Sequence, residues 1–403
     1  MTRHDPDTQA WVDEARHMPI VRELARRGIV VKKSDNGMPC PGCGGVDRFA
    51  VNLTKNVWNC RASGASGDAI ALVQHIEGCD FKTAVEIVTG RPAPRHEGES
   101  EAERLARHER LAREAEARRI EDEAKAKAQS EFREAERKRM FGVWQSAVPA
   151  KGTLVEDYLT LRGLFLPASG WLKFIANYAL WDRPGGTVVH RGPAMLAQIQ
   201  GPDGRFAGLH CTWLDMGQPK GKALIADADG QMVAAKKVRG SQKGGSILLA
   251  KHWSGPLTGP RVLFLGEGIE TVLAVWCELT ELRSKWLEAS EFRASVNLGN
   301  IGRRAVANVP HPTETYEDAK GKVRRRLIPN DEPKPDDDWP LIPIADSVET
   351  LILLGDGDSE PVRTRNAMLR GAKSYAALRP DLDIRLAMAG EGVDFNDLRR
   401  ARA

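Results

Sequence analysis

Residues 261–271 read RVLFLGEGIET: an apolar run that ends in a carboxylate, Glu267, held between two glycines. Residues 349–360, ETLILLGDGDSE, repeat the design with Asp356 and Asp358 where the run stops. Short apolar runs bounded by glycine read as strands buried on both faces. Between and after them lie helical stretches, GIETVLAVWCELTEL and EPVRTRNAMLRGAKSYAALR, and two further runs, ASVNLGN and IRLAMA. This alternation predicts a parallel α/β sheet over 256–403. In such a sheet the ligand site lies at the carboxyl ends of the strands, where Glu267, Asp356 and Asp358 fall. The flanking glycines allow tight turns and a close approach of backbone to ligand. Because residues i and i+2 of an extended chain point the same way, Asp356 and Asp358 can face one cation together. A hard divalent ion, Mg²⁺ or Mn²⁺, fits paired carboxylates plus substrate phosphates. EGVDFNDL adds two further acids, Asp394 and Asp397, for which a helix N-cap is an equal alternative.

Working outward, residues 312–340 are rich in proline and charge and read as a long inserted loop. Residues 141–255 form a mixed α+β region, with a helix at GTLVEDYLTLRGL and a β-hairpin at AMLAQIQGPDGRFAGLHCTWLD. Five basic residues there, Lys222, Lys236, Lys237, Arg239 and Lys243, are candidates for nucleotide or nucleic-acid phosphates, against the alternative of a solvated basic loop. GSQKGGS is not the phosphate loop of ATPases. Residues 91–140 comprise a linker and a highly charged helical stretch without a sustained heptad, which acts as a spacer.

The N-terminal 90 residues carry a third pattern. Cys40, Cys43 and Cys60 cluster in PCPGCGGVDRFAVNLTKNVWNCRASGASGDAI, a spacing that suits a zinc ribbon on tight knuckles. Ser63 stands where a fourth cysteine would complete the set, and a serine hydroxyl is a poor zinc ligand. Either His75, Cys79 or His4 completes the tetrahedron, or water does, or the metal has been lost. A bound zinc in such a ribbon is structural.

The whole chain sets wide limits. Its 403 residues suffice for two or three cored domains, and 59 Lys+Arg against 55 Asp+Glu leave it only mildly basic. With no membrane-span run and no apolar signal region, the expectation is a soluble cytoplasmic protein without a membrane partner.

Two resemblances follow. VLFLGEGIETVLA with LILLGDGDSE resembles the Toprim domain shared by DnaG-type primases, topoisomerases and some nucleases, with SVNLGN similar to its second strand. The resemblance implies that Glu267 is the general acid/base and that Asp356 and Asp358 hold the metal. CPGCGGVDRF, WNC and GDAI resemble the zinc-binding domain of DnaG-type and phage primases, apart from Ser63, and this resemblance implies that Arg48, Phe49 and Trp58 are presented to single-stranded DNA. GTLVEDYLTLRGL and the basic stretch after it are similar to the segment preceding Toprim in phage-type primases. Together they imply a DNA primase of a prophage or mobile element. It would use Mg²⁺, Zn²⁺, nucleoside triphosphates and a single-stranded DNA template, with a separately encoded replicative helicase as partner. The alternatives are a non-catalytic single-stranded-DNA-binding or helicase-loading protein, and a Toprim nuclease.

Overall fold

The computed structural model describes residues 6–31, 34–94, 101–168, 170–181, 186–228, 230–253, 259–317, 321–335, 337–357 and 360–402. The chain divides into two units, Met1–Ala126 with Asn308–Ile328, and Lys127–Ala307 with Pro329–Ala403. No helix among the described residues is long and apolar enough to cross a membrane.

The first unit opens with two helices, α1 (Pro6–His17) and α2 (Ile20–Ala25). The break falls at Pro19, whose ring cannot donate the hydrogen bond a continuing helix needs. Strands β1 (Asp35–Cys40), β2 (Gly44–Asn52), β3 (Val57–Cys60) and β4 (Ser66–Gly67) form an antiparallel meander in sequence order. Helices α3 (Ala69–Glu77) and α4 (Phe81–Thr89) follow. Each starts on an aspartate cap, Asp68 and Asp80, and ends on a left-handed glycine, Gly78 and Gly90. Trp11, Ile20, Leu24, Phe49, Trp58, Leu72 and Val85 pack into one core.

Helix α5 (Glu101–Ser146) runs without interruption through the charged stretch, 46 residues, or about 69 Å at the α-helical rise. Its C-terminal end is no longer a spacer. Met140 and Trp144 are buried in the core of the second unit.

That unit holds two five-stranded sheets. The first comprises β5 (Val148–Pro149), β6 (Leu172–Trp181), β7 (Val188–Gln200), β8 (Phe206–Trp213) and, beyond the two-residue pair β9 (Ile225–Ala226) and β10 (Met232–Val233), β11 (Lys236–Gly240). Its order is β11-β8-β7-β6-β5, with α6 (Leu154–Leu161) between β5 and β6 in the chain. The β7–β8 hairpin is the one expected from its Gly/Asp turn.

The second sheet adds β12 (Ile247–Lys251), β13 (Val262–Gly266), α7 (Ile269–Glu281), β14 (Ser290–Ala294) and α8 (Leu298–Gly302). After α8 come β15 (Asn308–Glu317), β16 (Val323–Pro329), β17 (Thr350–Gly355), α9 (Pro361–Leu378), β18 (Asp383–Met388) and α10 (Phe395–Arg400). Sheet order is β12-β14-β13-β17-β18, parallel except for the edge strand β12. The apolar runs are continuous because both faces are covered. Phe264, Ile352 and Leu354 point into one core with α7, and Leu263, Leu265, Leu351 and Leu353 into another with Met368 and Tyr375 of α9.

Two expectations need correcting. The strand assigned to ASVNLGN is SEFRA, β14, and Asn297 instead caps α8 through the Asn300 amide. The expected 312–340 loop contains a two-stranded ribbon, β15 with β16. Residues 308–328 of that ribbon belong to the first unit: Leu327 N donates to Ser63 O at 2.9 Å, and Tyr316 packs against the core there. Charge and proline masked a strand pair whose partner lies some 250 residues away along the chain.

Candidate functional site: an acidic and basic cleft, and a thiol–imidazole cluster

Strands β13 and β17 lie side by side in parallel, with Gly266 opposite Leu354. Glu267 and Asp356 therefore leave the sheet within one residue of the same level. Both line a cleft of about 320 Å³. Asp356 Oδ2 accepts a 2.7 Å hydrogen bond from Thr271 Oγ1 in the first turn of α7. Burial raises the Glu267 carboxyl above its ordinary value. The neighbouring Asp356 raises it further, and the Leu298 amide and Lys236 offset part of the rise. Asp358 lies outside the described residues. Asp394 also lines the cleft, but its carboxylate caps α10 through the Asp397 amide at 2.6 Å. Asp397 sits in the first turn of that helix and is not part of the cleft lining.

The same cleft is lined by four cations, Arg162, Lys220, Lys222 and Lys236, and by the imidazole of His210. Alternation along the strands explains which basic residues reach the cleft. Lys236 lies opposite Thr212, on the face of the β8–β11 pair that His210 shares. Lys237 points the other way, donating to Trp181 O at 2.8 Å, and Arg239 pairs with Glu136 at 3.0 Å in a largely buried contact. Lys243 sits over the Trp339 ring, 3.8 Å from Asp338. Of the five basic candidates only Lys222 and Lys236 line the cleft.

The residues that sequence reasoning missed are Glu270, Tyr158, Arg162 and His210. Glu270 is buried, and its carboxylate meets Lys222 Nζ at 2.7 Å, Lys236 Nζ at 3.1 Å and the Tyr158 hydroxyl at 2.5 Å. Burial alone would raise its carboxyl. The two ammonium groups and the phenol outweigh burial and hold it well below the ordinary carboxylate value. A signal was present in the sequence: Glu270 interrupts the buried helix face of Ile269, Val272 and Leu273, and a carboxylate there needs partners.

In the first unit, Cys40, Cys43, Cys60 and His75 bring their donor atoms within 4.8 Å of one another. Cys43 Sγ is 3.3 Å from Cys60 Sγ, and Cys40 Sγ is 3.2 Å from His75 Nε2. Ligands around a tetrahedral zinc are separated by roughly 3.5–3.8 Å, and three thiolates with an imidazole are a standard structural donor set. The residues fit zinc. Among the thiols, Cys60 is the acidic one, lowered to about 3 by hydrogen bonding from Cys40 and then from His75 and Ser63. The hydrogen bond shared with Cys60, and then burial, push Cys40 upward, and burial followed by the Cys60 hydrogen bond pushes Cys43 upward. Ser63 is buried beside the cluster, whose fourth donor is His75. His75 projects from the last turn of α3, and Cys79 is not in the group. His4 lies outside the described residues.

Phe49 and Trp58 do not face solvent. They are 0% and 2% exposed, stacked on each other at 5.6 Å, and Trp58 stacks on His75 at 5.0 Å. Their aromatic surface supports the metal knuckle and is unavailable to bases, which corrects the expectation that they meet DNA. Arg48 is half-buried beside Gly45.

A family model described as "Domain of unknown function (DUF7146)" matches residues 134–249. That span contains Tyr158, Arg162, His210, Lys222 and Lys236. No curated protein matches the chain. Among solved structures, the chain is similar to the zinc-binding and RNA polymerase domains of the Aquifex aeolicus primase, at 14% identity and a TM-score of 0.31, covering 97% of this chain and 82% of that one. It is also similar to a DNA primase domain from Pseudomonas aeruginosa, at 14% and 0.32, covering 65% and 73%. A third is the primase fragment of the bacteriophage T7 primase-helicase protein, at 16% and 0.27, covering 64% and 70%. Scores at this level leave the argument with the residues.

Proposed function

We propose that the chain is a DNA primase-like nucleotidyltransferase, in which a Toprim-type sheet carries the chemistry and a zinc-holding unit serves the single-stranded template. The observation that carries this reading is the cleft: two carboxylates from adjacent strand ends share one space with four cations from the preceding α+β region. A site that joins a 3′-hydroxyl to an α-phosphate and releases pyrophosphate needs both sets of groups. The acidic set takes the hydroxyl proton, and the basic set holds the polyphosphate. Glu267, with its raised pKa, is the proton acceptor, and Thr271 keeps the Asp356 carboxylate turned toward the same space. Arg162, Lys222 and Lys236 meet phosphate oxygens.

Asp356 beside a partly desolvated Glu267 places two like charges together, which fits a divalent cation between carboxylates and phosphates. Asp356 and Asp358 would hold Mg²⁺ or Mn²⁺, which would supply Lewis-acid stabilisation of the attacking and leaving oxygens. His75 in the fourth ligand position removes the reason for reading the zinc unit as degenerate, which favours the synthetic reading over a purely DNA-binding one. The phage or mobile-element setting and the helicase partner rest on the sequence resemblance.

The test is incubation of the full chain with single-stranded template, Mg²⁺ and labelled nucleotides. Glu267→Gln and Asp356→Asn are expected to lower synthesis by at least about a hundredfold while template affinity stays unchanged. Equal synthesis in both variants would refute the assignment.

A further inference from the structure

Glu270 takes no part in the chemistry just described, yet it joins three separate chain segments. Lys222 follows β8, Lys236 opens β11 and Tyr158 belongs to α6. All three converge on one buried carboxylate a single helical turn beyond Glu267. Two ammonium groups on a single carboxylate leave excess positive charge, and each ammonium has three donors while spending one on Glu270. Beside them lies Arg162, only 5% exposed, whose Nε has no hydrogen-bond partner among the described residues. A buried donor without an acceptor is costly unless a ligand meets it.

We infer that Glu270 is a positioning residue for a triphosphate-binding wall made of Lys222, Lys236 and Arg162, and acts by holding both lysines charged and aimed into the cleft. The inference rests on the nucleotidyl-transfer reading and adds to it a residue that touches no substrate. Burial is the largest influence on Lys222 and drives its pKa down, with Glu270 opposing it. At Lys236 burial acts the same way, but Glu270 prevails and the pKa is raised. The other groups facing these lysines are Tyr158, Arg162, His210, Lys220, Glu267, Asp356 and Asp394. Without the Glu270 charge, two partly desolvated ammonium groups repel each other across the same space, and burial and repulsion together push both pKa values down.

The experiment is calorimetric binding of inorganic triphosphate to the full chain from about pH 6.5 to 9, on the wild type and Glu270→Gln. Glutamine keeps the size and can still accept from Tyr158, but carries no charge. The wild type is expected to hold its affinity across the range. The variant is expected to bind near wild type at the acidic end and about tenfold or more weaker at the alkaline end, where unpaired lysines lose their protons. A loss of equal size at every pH marks a merely structural role and overturns the inference, as does no loss at all. Wild type that fails to bind triphosphate sinks the nucleotidyl-transfer reading itself and the inference with it. If E270Q does not fold, Glu270→Asp decides. It keeps the charge, so its pH profile must follow that of the wild type; a profile that falls at the alkaline end overturns the inference.

Discussion

Replacing His75 with alanine tests the first unit most sharply. His75 is one of four donors in the metal cluster, and its ring also covers the Trp58 face. Structural zinc contributes roughly 10–16 kcal/mol of apparent binding energy in small domains near neutral pH. Divided over four ligands, the loss of one is worth about 2.5–4 kcal/mol, or roughly two to three orders of magnitude in affinity. Competition against a chromogenic chelator, with metal content measured by elemental analysis, reads this directly. Cys79→Ala is the control, because Cys79 is outside the donor group and should leave zinc affinity unchanged. Ser63→Cys placed in the H75A chain should restore much of the loss, since Ser63 is buried three residues after Cys60, the spacing that Cys40 and Cys43 already have. Unchanged zinc affinity in H75A, or a loss in C79A, defeats the assignment of the fourth ligand.

Two further outcomes can be measured on stability. Gly64 has φ of +72°, and a Cβ there would lie 1.9 Å from Leu327 O, so Gly64→Ala should detach the β15–β16 ribbon at the knuckle. Limited proteolysis should then cut within the ribbon faster, and the melting transition should fall by an amount equivalent to about 2 kcal/mol or more. His210 has its pKa lowered to about 4, chiefly by burial and then by Lys236. The unfolded chain therefore takes up a proton below about pH 6.5 that the folded chain refuses, and stability falls as pH drops through that window until about pH 4, by up to about 3 kcal/mol. Urea unfolding of His210→Phe should lose that part of the acid slope; an unaltered slope contradicts the buried neutral imidazole.

What the sequence reveals and hides follows from how far apart the interacting residues lie. The strand ends carrying Glu267 and Asp356 are visible because their physics is local: buried on both faces, then a glycine, then a charge. The caps at Asp68 and Asp80 with Gly78 and Gly90 are local in the same way. His75 remained one of several alternatives, because a ligand contributed by a helix 15 residues past Cys60 leaves no spacing rule to follow. Phe49 and Trp58 misled, since an aromatic beside a basic residue reads alike whether it faces a base or a core. The basic residues divided according to strand alternation and burial, which the composition of the stretch does not encode. Glu270 escaped notice because its three partners come from 34 to 112 positions away.

The ribbon also bears on how this protein is made. The unit with the thiol–imidazole cluster contains residues 1–126 and, roughly 200 positions later, 308–328. A ribosome adding about 5–20 residues per second needs on the order of 10–40 s to bridge that gap. Throughout that interval the Ser63 carbonyl has no Leu327 amide to receive, and the nascent unit must await its final piece. A fragment ending near residue 126 would remain permanently at that unfinished stage, so no single cut in the gene yields the whole unit.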